Sequence, residues 1–499
     1  MDIINHLLLG FSTAFTLTNV FACFMGVLIG TLIGVLPGIG PTGTMAILIP
    51  FTFKMGPTSA IIMLCGIFYG AQYGGSTTSI LVNIPGEVGS IVTCLDGYQM
   101  ARKGRAGPAL GISAMGSFIG GTLSVVGLML LTPMLGKLAI GFGAPELFSL
   151  ALFGLMMVSF IGTGSVVKSL MMASLGMVTS LIGVETVSGF RRFTLGSITL
   201  SDGIGLVPVA IGMFGIAEIL TNIEEMTKQE VFKTKLRNLF PTLKDWHDSL
   251  GPMIRGTVLG FFLGILPGAG VVMTTFFCYG LEKRLSKYPE KFGTGVIEGV
   301  AGPETGNNAA ASGCMIPLLA LGVPPNAVMA MLLGAFIIHG IQPGPLFITQ
   351  HPGLFWGLIA SMCIGNAMLL VLNLPLIGMW VRILEIPYVL FLPLIIVFCF
   401  IGVFSLNNNV YEILIMILFG FFGYFLRKMQ FPLAPFLLAM VLGPMIETSF
   451  RQSMAISLGN PAIFYQRPFS AVLLLFVVAA LFLFLFLWVK SMRKDSKVS

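Results

Sequence analysis

Two stretches of small polar side chains interrupt an otherwise apolar chain. In the first, Ser76, Thr77, Thr78 and Ser79 follow a Gly-Gly pair, with Asn83-Ile-Pro-Gly86 shortly after. In the second, Glu304, Thr305, Asn307, Asn308 and Ser312 run from Pro303 toward a Gly322-Val-Pro-Pro-Asn326 break. Hydroxyls and amides offer acceptors to a cation and donors to a carboxylate. Hard cations favour oxygen ligands, including carbonyls of unwound backbone. A sodium site therefore fits among Ser76, Thr77, Thr305, Asn307 and Asn308. The competing reading is that each hydroxyl bonds back to its own helix; two such blocks, each beside a proline break, favour a site.

Charge sharpens the chemistry. Neither block contains Lys or Arg, so an anionic solute would depend on helix dipoles and co-bound cations for compensation. Glu304 is the carboxylate inside the second block. It could bind a cation, carry a proton or cap a half-helix, and coupling is the favoured role. Glu87 and Asp96 read as interfacial residues, and Glu146, Glu185, Glu218 and Glu447 as charges near helix ends with no evident partner. No nucleophile elbow, H-E-x-x-H, nucleotide-binding loop or clustered metal-ligand pattern is present, so the chain reads as a non-enzyme without a cofactor. Its requirement is a coupling ion, Na⁺ or H⁺.

The elements that must position these blocks contain a repeated motif, G-x-x-x-G-x-x-x-G-x-L-P-G-x-G. One copy is Gly26, Gly30, Gly34, Leu36, Pro37, Gly38 and Gly40; the other is Gly256, Gly260, Gly264, Leu266, Pro267, Gly268 and Gly270. Glycines four apart let helix backbones approach closely. Proline removes a donor and glycine loosens the helix, so Pro37, Gly38, Gly40 and Pro267, Gly268, Gly270 read as helix breaks at a binding site. Half-helix N-termini there would present partial positive charge to an anion.

Composition supports a membrane setting. The 499 residues are 56% hydrophobic and 9% charged, with mean hydropathy +0.96; soluble domains carry about 25% charged residues. The fold class is an all-α polytopic membrane protein with ten to fourteen membrane segments. Met1-Asp2 lacks the basic start of a cleavable signal. The net charge of +7 is the Lys/Arg excess of cytoplasmic loops and no nucleic-acid signature. The seven cysteines are scattered through apolar stretches and read as packing residues.

The organisation read from the motifs is a first transmembrane repeat over 1–221, a cytoplasmic linker over 222–250, a second repeat over 251–468, and a final helix with a basic tail over 469–499. The polar blocks are taken as counterparts in the two repeats. Basic loops fall at opposite places, Arg102, Lys103 and Arg105 in one half against Lys283, Arg284, Lys287 and Lys291 in the other. On the positive-inside rule this favours inverted over parallel repeats. Segment 252–280 is expected to form a re-entrant hairpin with Leu266-Pro267-Gly268 near its tip.

At these residues the chain resembles a known family. Gly34-Val-Leu-Pro-Gly-Ile-Gly40, Tyr69-Gly-Ala-Gln-Tyr-Gly-Gly-Ser-Thr-Thr78 with Asn83-Ile-Pro-Gly-Glu87, and Gly302-Pro-Glu-Thr-Gly-Asn-Asn-Ala309 resemble the large membrane subunit of the tripartite tricarboxylate transporters. The resemblance implies a bacterial inner-membrane permease working with a small four-span membrane subunit and a periplasmic solute-binding protein. It implies secondary active import of a carboxylate, with citrate as the default, by cation symport. A passive anion channel and a non-transporting receptor for the binding protein are the alternatives. Movement of a repeat-built unit and rocking of one half on the other both fit the pattern.

Overall fold

Glycine sets how the principal helices meet. In the computed structural model, which describes residues 3–36, 40–161, 165–185, 189–224, 239–268, 270–384, 386 and 390–495, helix α1 (Leu17–Val35) is followed by α2 (Gly40–Leu48) and α3 (Pro57–Val82). A Cβ added at Gly26, Gly30 or Gly34 of α1 would strike the backbone carbonyls of Met63, Ile67 and Ala71 of α3 in turn. In the second half, α6 (Leu243–Ile265), α7 (Gly270–Leu285) and α8 (Glu298–Gly313) follow the same plan. There Gly256, Gly260 and Gly264 of α6 meet the carbonyls of Gly302, Gly306 and Ala310 of α8. These glycines pack helices, as their spacing predicts.

The described residues flanking the two motifs match. Leu36 and Leu266 close α1 and α6 in extended conformation. Gly40 and Gly270 open the next helices at φ 65 and 51, a region that a side chain rarely enters. Pro37 and Gly38 lie outside the described residues. α6 and α7 pack against each other, and Arg255 of α6 donates to Glu282 of α7 at 2.9 Å from Nε.

The contact register differs from the one assumed for the polar blocks. Met63 pairs with Gly302, Ile67 with Gly306 and Ala71 with Ala310. The same register sets Gly74, against the Thr31 carbonyl, beside Gly313, against the Phe261 carbonyl. It also matches Asn83 with Gly322, which end α3 and α9 (Met315–Leu321) in the left-handed conformation, at φ 60 and 71. Ser76–Ser79 therefore falls opposite the start of α9, and not opposite Thr305–Asn308. The sequence comparison aligned the blocks by composition, whereas backbone contact at glycine is the tighter constraint.

Two compact units are present. The larger combines Met1–Lys137 with Gly205–Met429, and the smaller combines Leu138–Ile204 with Gln430–Ser499; each draws on both halves of the sequence. Residues 225–238 of the expected linker lie outside the described residues. In the larger unit, α4 (Thr93–Arg102) and the long α5 (Ala106–Ala139) follow the first glycine-packed pair in sequence. Five described helices are long and apolar enough to cross a membrane: α1, α5, Leu206–Glu224, Pro352–Asn373 and Val410–Lys428. Five shorter apolar helices accompany them. The only strands among the described residues are the antiparallel pair Gly183–Val184 and Arg191–Arg192, in the smaller unit. The protein is an all-α polytopic membrane protein.

The smaller unit packs Ala434–Ile456 against Ala144–Ile161 and Val166–Ser180. Glu146, Glu185 and Glu447, read from sequence as lacking partners, face arginines here. Arg467 stands 3.7 Å from Glu146, Arg451 3.2 Å from Glu185, and Arg192 2.7 Å from Glu447. In the larger unit Glu218 pairs with Arg427. These partners are distant in sequence, which is why helix-end position alone did not disclose them.

Candidate functional site

Glu304 is the hub of a polar pocket in the larger unit. It sits on α8, 1% exposed, on a helix whose small residues allow close approach by its neighbours. Its carboxylate accepts hydrogen bonds from Ser76 of α3, Thr93 of α4 and Ser113 of α5, the last at 3.2 Å. Four helices thus converge on one side chain. One turn along α8, Asn307 Nδ2 donates to Glu87 Oε1 at 3.1 Å. Asn308 Nδ2 donates to Ser117 of α5 at 2.7 Å and to the Glu304 carbonyl at 3.2 Å. Asn308 Oδ1 is buried with no hydrogen-bond partner.

Glu87 extends the pocket. Its carboxylate accepts from the Gly89 N–H at 2.8 Å. Gln72, with its amide nitrogen turned toward Glu87, donates to it at 3.0 and 3.2 Å. Ser90 ties the turn together, donating to the Glu87 carbonyl at 2.8 Å and accepting from Ser79 at 2.9 Å. Glu87 is 5% exposed, so the interfacial reading is replaced by a buried place among the polar side chains. Close packing of the loop made this possible: a Cβ at Gly75 would hit Glu87, and one at Gly89 would hit both Glu87 and Asn307.

Asp96 is also buried, for another purpose. It accepts from the N–H groups of Gly293, Gly295 and Val296 at 3.0, 2.6 and 3.0 Å, and from the Tyr279 hydroxyl at 2.9 Å. Three backbone donors are a fixed source of positive potential, so Asp96 fastens the loop entering α8. α4 consequently holds both the start of α8, through Asp96, and the Glu304 carboxylate, through Thr93.

The residues expected at a site fall in different places. Ser76, Glu304, Asn307 and Asn308 belong to the pocket. Thr78 instead donates to the Val35 carbonyl at 2.6 Å, and Thr305 to the Ala301 carbonyl of its own helix at 2.7 Å. Thr77 and Ser312 are buried without joining the bonds to Glu304. Asn83 is an exposed helix cap. Gly40 and Gly270 start helices; of the second break, Pro267 is half-buried and Gly268 N–H donates to the Pro325 carbonyl at 3.1 Å. Of the five residues considered for sodium, Ser76 and Asn308 bond to Glu304, Asn307 turns to Glu87, and Thr305 bonds to its own helix, so the five do not form one shell. Sequence reasoning passed over Gln72, Thr93, Ser113 and Ser117. Ser113 and Ser117 carried the only available signal, two hydroxyls one turn apart in the apolar α5.

Comparison with known proteins gives the pocket a context. Residues 20–438, which include both glycine-packed pairs and every pocket residue, match the tripartite tricarboxylate transporter TctA family. An uncharacterized 52.8 kDa protein in the TAR-I ttuC' 3' region of Agrobacterium vitis is 50% identical over 493 residues, covering 99% of this chain and 98% of its own. A second Agrobacterium vitis protein, in the TAR-II ttuC' 3' region, is 52% identical over 215 residues, 43% of this chain and 89% of its own. No solved structure matches this chain. Because the family match spans the helix pairs that build the pocket as well as the pocket itself, the chain is a large permease subunit of the tripartite tricarboxylate transporter TctA family.

Proposed function

We propose that this chain imports tricarboxylates or related carboxylates by cation symport across a bacterial inner membrane, with citrate as the default substrate. A periplasmic solute-binding protein delivers the carboxylate, and a small four-span membrane subunit completes the complex. The two glycine-packed helix pairs are read as internal repeats of opposite orientation. Helix starts at Gly40 and Gly270, with N–H groups that have no intrahelical partner, supply partial positive charge for the carboxylate.

The observation that carries the coupling reading is the company of Glu304: three hydroxyls from three helices and, among the described residues, no bonded Lys or Arg. An isolated buried carboxylate costs several kcal/mol after relaxation. Loading a cation beside it removes that cost, which makes cation entry favourable and couples it to the arrangement of the four helices. Neutralisation also removes the repulsion that an incoming carboxylate would meet.

The test is uptake of labelled citrate into proteoliposomes containing this chain and its small membrane partner, with the binding protein outside. Uptake that requires the binding protein together with an inward Na⁺ or proton gradient supports the proposal. Flux that follows the citrate gradient alone would establish a channel, and docking of the binding protein without flux would establish a receptor.

A further inference from the structure

The pocket contains two carboxylates in the same predicament. Glu304 is held by the hydroxyls of Ser76, Thr93 and Ser113, and Glu87 by the Gly89 N–H and the amides of Asn307 and Gln72. Neutral donors reduce the desolvation cost of an anion but leave its charge in place. Among the described residues, no Lys, Arg or His is hydrogen-bonded or ion-paired to either. The other titratable side chain beside them is Cys94 of α4, whose thiol lies 3.9 Å from the Ser90 carbonyl and supplies no positive charge. Asp96 likewise has no cationic partner, but three backbone N–H groups and a tyrosine hydroxyl occupy its oxygens and tie it to the loop entering α8.

A second observation points to a ligand. Asn308 is 2% exposed, and its Oδ1 has no partner even though its Nδ2 makes two bonds. An orphaned amide oxygen in a buried polar site is normally satisfied by water or an ion. Asn308 lies one turn along α8 from Glu304 and bonds to its carbonyl, so this free oxygen adds to a pocket that already holds the carboxylate and the hydroxyls of Ser76, Thr93 and Ser113, a chemistry suited to a hard monovalent cation.

We propose that the pocket takes up two monovalent cations per cycle. One is held at Glu304 with the surrounding hydroxyls and Asn308 Oδ1, and the other at Glu87 with Gln72 and Asn307. This rests on the coupling role of Glu304 and adds a second position to it. α8 joins the two, since it supplies Glu304 to one and Asn307 to the other. Like charges repel across a low-dielectric pocket, so filling either position changes the demand at its neighbour. The order of events follows: an anionic solute cannot approach two uncompensated carboxylates, and the cations enter first. Both Na⁺ and H⁺ meet the chemical requirement, and separate measurements distinguish them.

The experiment uses the full chain in detergent. Saturation binding of ²²Na⁺ is counted per chain at fixed pH, and proton uptake is counted by titration from pH 5 to 9 without Na⁺. The expected result is two cations per chain for the wild type, and one fewer for Glu87→Gln and for Glu304→Gln, in whichever measurement registers the ion. An unchanged count in Glu87→Gln alongside a loss in Glu304→Gln would overturn the second position and leave the coupling role of Glu304 intact. An unchanged count in Glu304→Gln would refute that role itself. If Glu87→Gln fails to elute as a folded protein, Gln72→Met keeps the carboxylate and removes one neighbour. Because the bare Glu87 carboxylate then loses a donor, a tenfold tightening of one of two binding steps supports the proposal, and two unaltered steps overturn it.

Discussion

Carboxylates keep different company in the two units. In the smaller unit, Glu146 and Glu185 are 3% and 6% exposed and each faces an arginine. In the larger unit, Glu87 and Glu304 are as deeply buried and face hydroxyls, amides and one backbone N–H. Burial alone therefore does not tell these acids apart; Glu146 and Glu185 have a counter-ion, Asp96 has three backbone N–H groups and a tyrosine hydroxyl, and Glu87 and Glu304 have mainly neutral side chains. An arginine fixes the charge of its partner permanently. A carboxylate held by neutral donors can exchange its compensation. The contrast also holds within the larger unit, where Glu282 pairs with Arg255 and Asp245 with Arg105, away from the pocket.

The largest effect that would break this comparison concerns Glu304 and Glu447. Glu304→Gln should lower carboxylate uptake about a hundredfold or more, a transition barrier change of about 2.7 kcal/mol or more, while the protein elutes normally. Glu447→Gln should leave uptake per folded molecule within about twofold of wild type, because a difference below 0.5 kcal/mol is expected away from the working site. Equal losses in both variants would abolish the distinction. Proteoliposome uptake normalised to folded protein decides.

Next comes the packing that brings the pocket together. Gly30→Ala and Gly260→Ala place a Cβ against helix backbone and should destabilise by about 1–3 kcal/mol or more. Gly280→Ala, where a Cβ meets nothing within 4 Å, should not destabilise. Thermal unfolding followed by size-exclusion chromatography would show whether the pocket depends on glycine contact; equal melting of Gly30→Ala and wild type would show that it does not.

Ser113→Ala probes one donor. Losing this donor destabilises the bare carboxylate by about 1.5–3 kcal/mol, so a coupling proton should bind about tenfold more tightly, whereas Na⁺, deprived of a hydroxyl ligand, should bind more weakly; the cation dependence of uptake reads either shift. The smallest effect belongs to Thr305→Val, whose hydroxyl bonds to its own helix. Stability should change by at most about 1 kcal/mol, with the cation dependence of uptake unaltered. A strong transport defect in Thr305→Val would return that residue to the site and blur the boundary drawn here.

Much of this was legible in the sequence, and the failures have physical causes. The membrane class follows from composition, and the helix packing follows from the repeated glycine motif. Ser76, Glu304, Asn307 and Asn308 were visible as polar side chains in apolar surroundings. Thr78 and Thr305 were equally visible yet bond to backbone, because local spacing cannot reveal which way a hydroxyl turns. Glu87 was misplaced because its burial depends on Gly75 and Gly89 letting a loop fold against α3 and α8. Ser113 and Ser117 needed the long-range pairing of α5 with α8, which no local pattern encodes. The register that separates the polar blocks needs the contacts of Gly34 with Ala71 and of Gly264 with Ala310, because the spacing of the glycine motifs alone sets Ser76–Ser79 beside Gly306–Ala309.

The sequence distance between the pocket's partners has a consequence for biogenesis. Ser113 and Glu304 are separated by 191 residues. At roughly 5–20 residues per second of synthesis, Ser76, Thr93, Ser113 and the Glu87 carboxylate wait about 10–40 s before α8 arrives. During that interval they enter the membrane without their partners, where unsatisfied polar groups are costly. We therefore predict that the first half stays near the insertion machinery until the second half emerges. Stalled nascent chains ending before and after α8 would test this by crosslinking at residue 113: loss of translocon contacts only in the longer chain is expected, and early release of the shorter one would refute it. Assembly of the pocket would then double as the signal that lets the polypeptide depart into lipid.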